Sequence, residues 1–402
     1  MFPSIGYISK KNLVNFGEDN QCQFEKVPLL KYIRNTINIE DNLIIIVKGW
    51  TSTNLNPIYN RIREQRPKKI IFFIYDILRI YSTNCATNIR NSSLIEKEPL
   101  NARSPELDTV KIITSEFDLP FEVYHCEANC EIFQDCYDFP INYFDLFIAD
   151  YIQTDAKLHL KKQQNNLKKN YRFSSFSARF EPHKYIITTY LLGLENSLCS
   201  QLQKMNNDNL SKTLLQDNLV LSNEKLRKIY DNNLKNKNKK HSVRTRFKPY
   251  STDKDFVYKN ISAREQKYNV NEISRSWIHV VNESRFTMPM ANISEKTIKP
   301  IIARCPFIVA SGPFSLRLLQ GLGFKTFSDF WDESYDEEPD HSKRLEKILD
   351  LIDYLNSLKI KELKKMHGKM SSVLDYNLAR LECVNYDSFK NLKTFRDNLQ
   401  YC

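Results

Sequence analysis

Glycine is scarce in this chain. Only 8 glycines occur in 402 residues, and neither GxGxxG nor GxxxxGK[ST] is among them. That excludes the backbone cradles that hold phosphate in glycine-rich loops, so any phosphate must be met by side-chain cations and helix N-termini. No run of about 18 apolar residues exists, so no transmembrane helix and no membrane partner are expected. The N-terminal Met1-Phe-Pro-Ser4 lacks a charged stretch leading into an apolar core, which argues against a secretory signal. The 9 cysteines, an odd number scattered along the chain, suit a reducing interior better than a disulfide framework. A cytoplasmic location is therefore expected, in the host cytoplasm if the protein is viral. His125, Cys126, Cys130 and Cys136 lie near one another but form no CxxC pair, and GxSxG is missing. Asp253-Lys-Asp255 sits in a polar stretch rather than after an apolar strand, so no metal site is expected there.

Positive charge is abundant. Lys and Arg total 59 against 48 Asp and Glu, a net +11. Such a balance fits an anionic ligand: a nucleotide, a phosphorylated acceptor or nucleic acid. A composition rich in Asn, Lys and Ile produces the same excess without any ligand. With 41% hydrophobic residues, the chain can bury cores for two or three domains.

The first third reads as strands alternating with a helix. Residues 1 to about 40 suggest an edge segment and a short helix near Leu29–Arg34. Asn42–Val47, Lys69–Asp76, Phe121–His125 and Phe144–Asp150 are apolar runs of strand length, and Pro57–Gln65 is helix-like. Continuous apolar strands favour a parallel sheet buried on both faces. The expected division is an α/β domain over 1–165, a second over 166–345 and C-terminal helices over 346–402 that return to the first domain. Ala156–Lys169 is a polar, basic linker. Tyr171–Ser177 opens the second domain, and Ala178-Arg179-Phe-Glu-Pro-His183-Lys184 leads into a helix over Tyr185–Leu194. A polar, basic insertion occupies about 206–270. Within it Lys235, Lys237, Lys239, Lys240, Arg244, Arg246 and Lys248 succeed one another with no acid between them.

The densest pattern lies between Trp277 and Asp332. An apolar run, Trp277–Val281, feeds Asn282-Glu283-Ser-Arg285, then Asn292-Ile-Ser294-Glu295-Lys296-Thr-Ile-Lys299-Pro300. Pro306–Ala310, Ser311-Gly312-Pro313 and a helix from Ser315 to Gly321 repeat the order strand, loop, helix. In open α/β sheets ligands sit beyond the carboxyl ends of the strands.

These segments resemble the donor-binding part of fucosyltransferase-like and exostosin-like glycosyltransferases, of viral or bacterial type. Those families carry an acid at a strand end, then Thr/Ser-Glu-Lys opening a helix, then a short strand and a Gly-Pro or similar loop. Phe324–Tyr335 resembles the segment on the C-terminal side of that block in those families, and Ser177–Lys184 resembles the basic stretch that opens their C-terminal domain. The resemblance covers roughly residues 171 to 200 and 275 to 345. It implies two Rossmann-like domains facing a cleft, the GT-B arrangement. It also implies a metal-independent transfer from a nucleotide sugar, with UDP, GDP or another nucleoside diphosphate, to an acceptor hydroxyl. The sugar is a substrate; no tightly bound cofactor is implied.

The chemistry can be assigned residue by residue. Ionised Glu295 can accept hydrogen bonds from two ribose hydroxyls, and adjacent Lys296 can reach phosphate. Lys299, three positions on, shares its helical face. Arg179, Lys184, Arg285 and Ser294 are further donor-binding candidates, the guanidinium fork being suited to a diphosphate. Glu283 is a candidate to orient a sugar hydroxyl. A plain capping box of Ser294 with its neighbours explains the same Ser-Glu-Lys residues without a ligand. Candidate general bases are Asp76, Glu127 and Asp150 in the first domain, with His125 as an alternative. In the insertion, Lys239, Lys240, Arg244, Arg246 and Lys248 alternate with Tyr and Phe, as in surfaces that bind nucleic acid. Acceptor expectations are a glycan or a hydroxymethylated DNA base flipped from the stack. The alternative is a non-catalytic nucleic-acid-binding protein.

Overall fold

The computed structural model describes residues 4–8, 13–15, 41–48, 55–74, 105–125, 137–143, 152, 156, 168–177, 181–199, 223–228, 270–284, 286–287 and 291–384. The chain divides into two compact α/β units, one formed mainly by residues 1–154 and one by 155–384.

The first unit is built on a six-stranded sheet in the order β2-β1-β3-β4-β5-β6. Its strands are β1 (Ser4–Ile8), β2 (Leu13–Asn15), β3 (Asn42–Lys48), β4 (Lys69–Ile74), β5 (Phe121–His125) and β6 (Ile141–Tyr143). β1 pairs antiparallel with β2, which lies at the edge, and with β3; β3 to β6 run parallel. Helices α1 (Asn56–Gln65) and α2 (Pro105–Glu116) lie between parallel strands in the chain. Their Ile58, Ile62, Leu107, Val110 and Ile113 join one face of the sheet: Leu43, Ile45 and Val47 with Ile70, Phe72, Ile74 and Val123. The opposite face buries Ile44, Ile71 and Phe73, the last stacked on Tyr124 at 5.2 Å. Burial on both faces is why these strands read as unbroken apolar runs. Helix α2 was not among the elements expected from sequence, although Leu107, Val110 and Ile113 recur at helical spacing after Pro105. The helix expected near 29–34 and the strand expected over 144–150 lie outside the described residues.

The second unit holds a four-stranded sheet in the order β10-β9-β7-β8, parallel throughout. Its elements in chain order are β7 (Tyr171–Ser175), α3 (Pro182–Leu192), β8 (Ser197–Cys199), β9 (Ser276–Asn282), α4 (Glu295–Ile302), β10 (Phe307–Ala310) and α5 (Ser315–Gly321). From β7 the chain steps outward one way to β8. It then returns to β9 on the other side and continues to β10. The order therefore reverses between β7 and β9, and the crevice beyond their carboxyl ends is where such sheets take ligands.

Helices α6 (His341–Ser357) and α7 (Ile360–Cys383) complete this unit. Through residue 384 they belong to the second unit; the expected return to the first domain falls on residues 385–402 as well, which lie outside the described residues. Arg172 on β7 donates to the carbonyls of Leu355 (3.1 Å) and Leu358 (2.7 Å) at their junction. On α7 the buried Leu363, Met370, Val373, Leu374, Asn377 and Leu381 share one face of the helix, a stripe that is apolar except for Asn377. The Trp277 ring meets His367 edge-on at 5.5 Å, and Asn377 exchanges two 2.8 Å hydrogen bonds with the Lys325 backbone. Gly323, at φ +86°, lies so close to Arg380 that a Cβ would stand 2.7 Å from its Nε. Within the polar insertion, residues 223–228 are described. Leu226 is fully buried there, and Asn223 donates to Glu346 on α6 at 2.8 Å.

Candidate functional site

Three loops leave the carboxyl ends of β7, β9 and β10, and side chains lace them together. Ser311 donates to the Asn292 carbonyl at 2.6 Å, Ser315 accepts from the Asn292 N–H at 3.0 Å, and Asn292 donates to the Ser284 carbonyl at 2.8 Å. Asn282, the last residue of β9, donates to Ser175 at 2.8 Å and Ser177 at 3.2 Å, tying β9 to β7 across the reversal. Its Oδ1 is buried and meets no donor among the described residues.

Glu283 is fully buried, and both of its carboxylate oxygens are engaged. One accepts from the Ser294 N–H (2.8 Å) and the Thr297 hydroxyl (2.7 Å); the other accepts from the Ser294 hydroxyl (2.5 Å). The Lys296 ammonium lies 3.7 Å away. An ionised carboxylate at a helix N-terminus satisfies N–H and O–H groups that have no partner within the helix. Glu283 therefore holds the start of α4 against the end of β9 rather than facing a sugar. The capping box suggested by sequence forms in a different way. Ser294 caps α4 and accepts from the Lys296 N–H at 3.3 Å, but the reciprocal carboxylate is Glu283, not a residue of the helix.

Glu295 and Lys296 come next, at the rim. Their side chains keep 13% and 27% of their exposure, against 0% for Glu283, and they approach to 3.4 Å. Burial works to raise the Glu295 carboxyl. The Lys296 and Lys299 ammoniums outweigh it and leave the carboxyl below its ordinary value, hence ionised at neutral pH. Lys299, one turn further along α4, is buried. On α3, Lys184 is 2% exposed, donating to Glu181 at 2.6 Å and Ser284 at 3.3 Å. Burial pushes its ammonium below the ordinary value, opposed by Glu181. His183 beside it is neutral because burial, then Lys184, holds its pKa well down. Its Nε2 lies 2.9 Å from the Glu283 carbonyl, which can only accept, so Nε2 carries the proton.

Beneath the rim, Arg344 of α6 is buried. It donates to the carbonyls of Ser311 (3.0 Å), Pro339 (3.1 Å), Glu338 and Phe286 (2.5 Å). Its guanidinium lies 4.7 Å from the Phe286 ring centre, and that ring stacks on His183 at 4.7 Å. One arginine thus joins the loops after β9 and β10 to α6.

Of the sequence-predicted donor residues, the fold brings Lys184, Glu283, Ser294, Glu295, Lys296 and Lys299 to one end of the second sheet. Arg179, Arg285, Asp76, Glu127, Asp150, Lys239, Lys240, Arg244, Arg246 and Lys248 lie outside the described residues. Sequence reasoning missed Glu181, Thr297 and Arg344. Thr297 had a usable signal: it stands three positions after the cap, where a hydroxyl can reach an acid that precedes the helix. Arg344, in a helix after an acidic run, had none.

The fold and site define a two-unit α/β protein with Rossmann-like parallel sheets and a polar, charge-paired crevice end in the second unit. No protein-family model matches the chain, and no curated protein matches it. Solved structures similar to it include a trehalose-6-phosphate synthase studied for glycosyl transfer with retention. That structure is 12% identical at TM-score 0.40, over 93% of this chain and 77% of its own. Another is the DNA-modifying enzyme β-glucosyltransferase, solved with and without uridine diphosphoglucose. It is 12% identical at TM-score 0.35, over 88% of this chain and 81% of its own. Likenesses this loose leave the chemistry to be read from the residues themselves.

Proposed function

We propose that the chain is a glycosyltransferase that takes its sugar from a nucleotide-sugar donor, held by the second unit. The observation that carries this reading is the Glu295–Lys296 pair. It is an ionised acceptor beside an ammonium, fixed by Glu283 at the strand-order reversal and still reachable from solvent. In this reading the Glu295 carboxylate takes the ribose hydroxyls and Lys296 takes the diphosphate. Buried Lys184 and Lys299 add positive potential behind them, and Arg179 and Arg285 complete the cation set. These cations stabilise the nucleoside diphosphate as it leaves with growing charge, the part a metal ion plays in other transferases. Glu283 is a positioning residue. The candidates for the general base are Asp76, Glu127 and Asp150.

The acceptor is a hydroxyl of a glycan or of a hydroxymethylated DNA base, a choice supported only by the net charge of +11 and the basic stretch 235–248. A thermal-shift screen against nucleoside diphosphates and their sugars tests the reading, because a ligand of the folded state raises the melting point by mass action. At least one nucleoside diphosphate raises the midpoint of the native chain, and Lys296→Ala abolishes the rise without unfolding the protein. No rise with any of them rejects the reading. Salt-sensitive DNA binding in that case selects a nucleic-acid-binding protein.

A further inference from the structure

We propose that the lysine-lined outer face of α7 binds the phosphate backbone of duplex nucleic acid, seated at Gly368. The inference is independent of the donor reading. Lys361, Lys364, Lys365 and Lys369 are all exposed, and their spacing puts them on the side of α7 away from its apolar stripe. Two acids lie on or beside this stretch: the Glu362 carboxylate is engaged by the Lys359 N–H at 2.7 Å, and Asp375, two turns beyond Gly368, is paired with Arg304. The lysines span about 12 Å of helix axis. Along a duplex axis that is about three to four steps of one strand, at ~3.4 Å each, so about four phosphates.

The second observation is Gly368, at the centre of this face. In a chain with 8 glycines, one stands in the middle of a 24-residue helix. Glycine is the weakest helix former after proline. Packing within the protein does not require it, because a Cβ at Gly368 would meet nothing within 4 Å. A notch flanked by lysines lets a phosphate strand approach the helix backbone, and exposed Ser372 adds a hydroxyl of the kind that contacts phosphate, while Ser371 donates to the Gly368 carbonyl at 2.8 Å. A membrane-surface helix would need bulky apolar residues beside its cations. Here the exposed neighbours of the glycine are lysines and serines.

The test is fluorescence anisotropy of the full chain with a labelled mixed-sequence DNA duplex of about 20 base pairs, titrated at several salt concentrations. The Lys364→Gln/Lys365→Gln variant should lower the slope of log affinity against log salt by about 2. Gly368→Leu should weaken binding several-fold while raising the thermal midpoint, since leucine favours helix and faces open space. Neither variant should alter the thermal shift given by nucleoside diphosphates, so failure here and failure of the donor reading are separable. An unchanged salt slope overturns the proposal and places any DNA binding elsewhere. So does the absence of DNA binding, or loss of binding to phosphatidylserine vesicles without loss of binding to DNA.

Discussion

Glu283 and Ser294 are eleven positions apart in the chain, yet the carboxylate of one accepts from both the backbone N–H and the hydroxyl of the other, at 2.8 and 2.5 Å. This contact turns a long loop into a fixed bracket and determines where Glu295 and Lys296 stand.

Glu283→Ala leaves the Ser294 N–H, the Ser294 hydroxyl and the Thr297 hydroxyl without their acceptor in a buried place. It should destabilise the protein by about 3 kcal/mol. Glu283→Gln keeps the shape but accepts through one oxygen only, and should cost about 1–2 kcal/mol. Urea denaturation of both variants measures this. Full stability in Glu283→Ala would mean that the bracket is not structural.

Arg344 satisfies four backbone carbonyls from a buried position. Arg344→Met should lower stability by about 3–5 kcal/mol, because those carbonyls lose their donors. Arg344→Lys should recover only part, since an ammonium cannot span the fork of a guanidinium. The midpoint of urea unfolding checks the order native, Lys, Met.

Two buried groups give opposite pH dependences. Burial, then Lys299, lowers His279 to about 3, so the unfolded chain takes up its proton first as pH falls. The stability this group contributes is complete above about 6.5 and is lost toward about 3, by up to about 1.4 kcal/mol per pH unit. Burial raises Asp336 to about 7 against its usual 3.8, so its contribution is complete below about 4 and is lost as pH rises to about 7. Stability measured from pH 4 to 7 should therefore rise less steeply with pH in His279→Gln than in the native chain, and more steeply in Asp336→Asn. Parallel curves for native and variant would contradict these assignments.

The parallel sheets were legible because their strands are buried on both faces. Asn42–Lys48 and Lys69–Ile74 carry almost no polar residue, and the structure pairs them along their length. The helix α4 was legible from Ser294-Glu295-Lys296. Glu283 was found by sequence but given the wrong partner. A strand-end acid reads the same whether it faces ligand or helix, and only the return of residues 291–297 shows which. Helix α6 had clear apolar periodicity, and α7 read only as a more polar helix; periodicity marks a buried face without naming the sheet that buries it. Arg172, through the carbonyls of Leu355 and Leu358, ties them to the second sheet by contacts 183 and 186 positions apart.

The most direct measurement is calorimetric titration of a nucleoside diphosphate into the native chain, Glu295→Gln and Lys296→Gln, each repeated with the 2′-deoxy nucleotide and the bare nucleoside. The native chain should favour the ribonucleotide over its deoxy form and the diphosphate over the nucleoside. Glu295→Gln should lose most of the first preference, and Lys296→Gln most of the second, a difference of about 1.5–3 kcal/mol for a hydrogen bond to a charged group. Native-like preferences in both variants would contradict the donor site placed at these two residues.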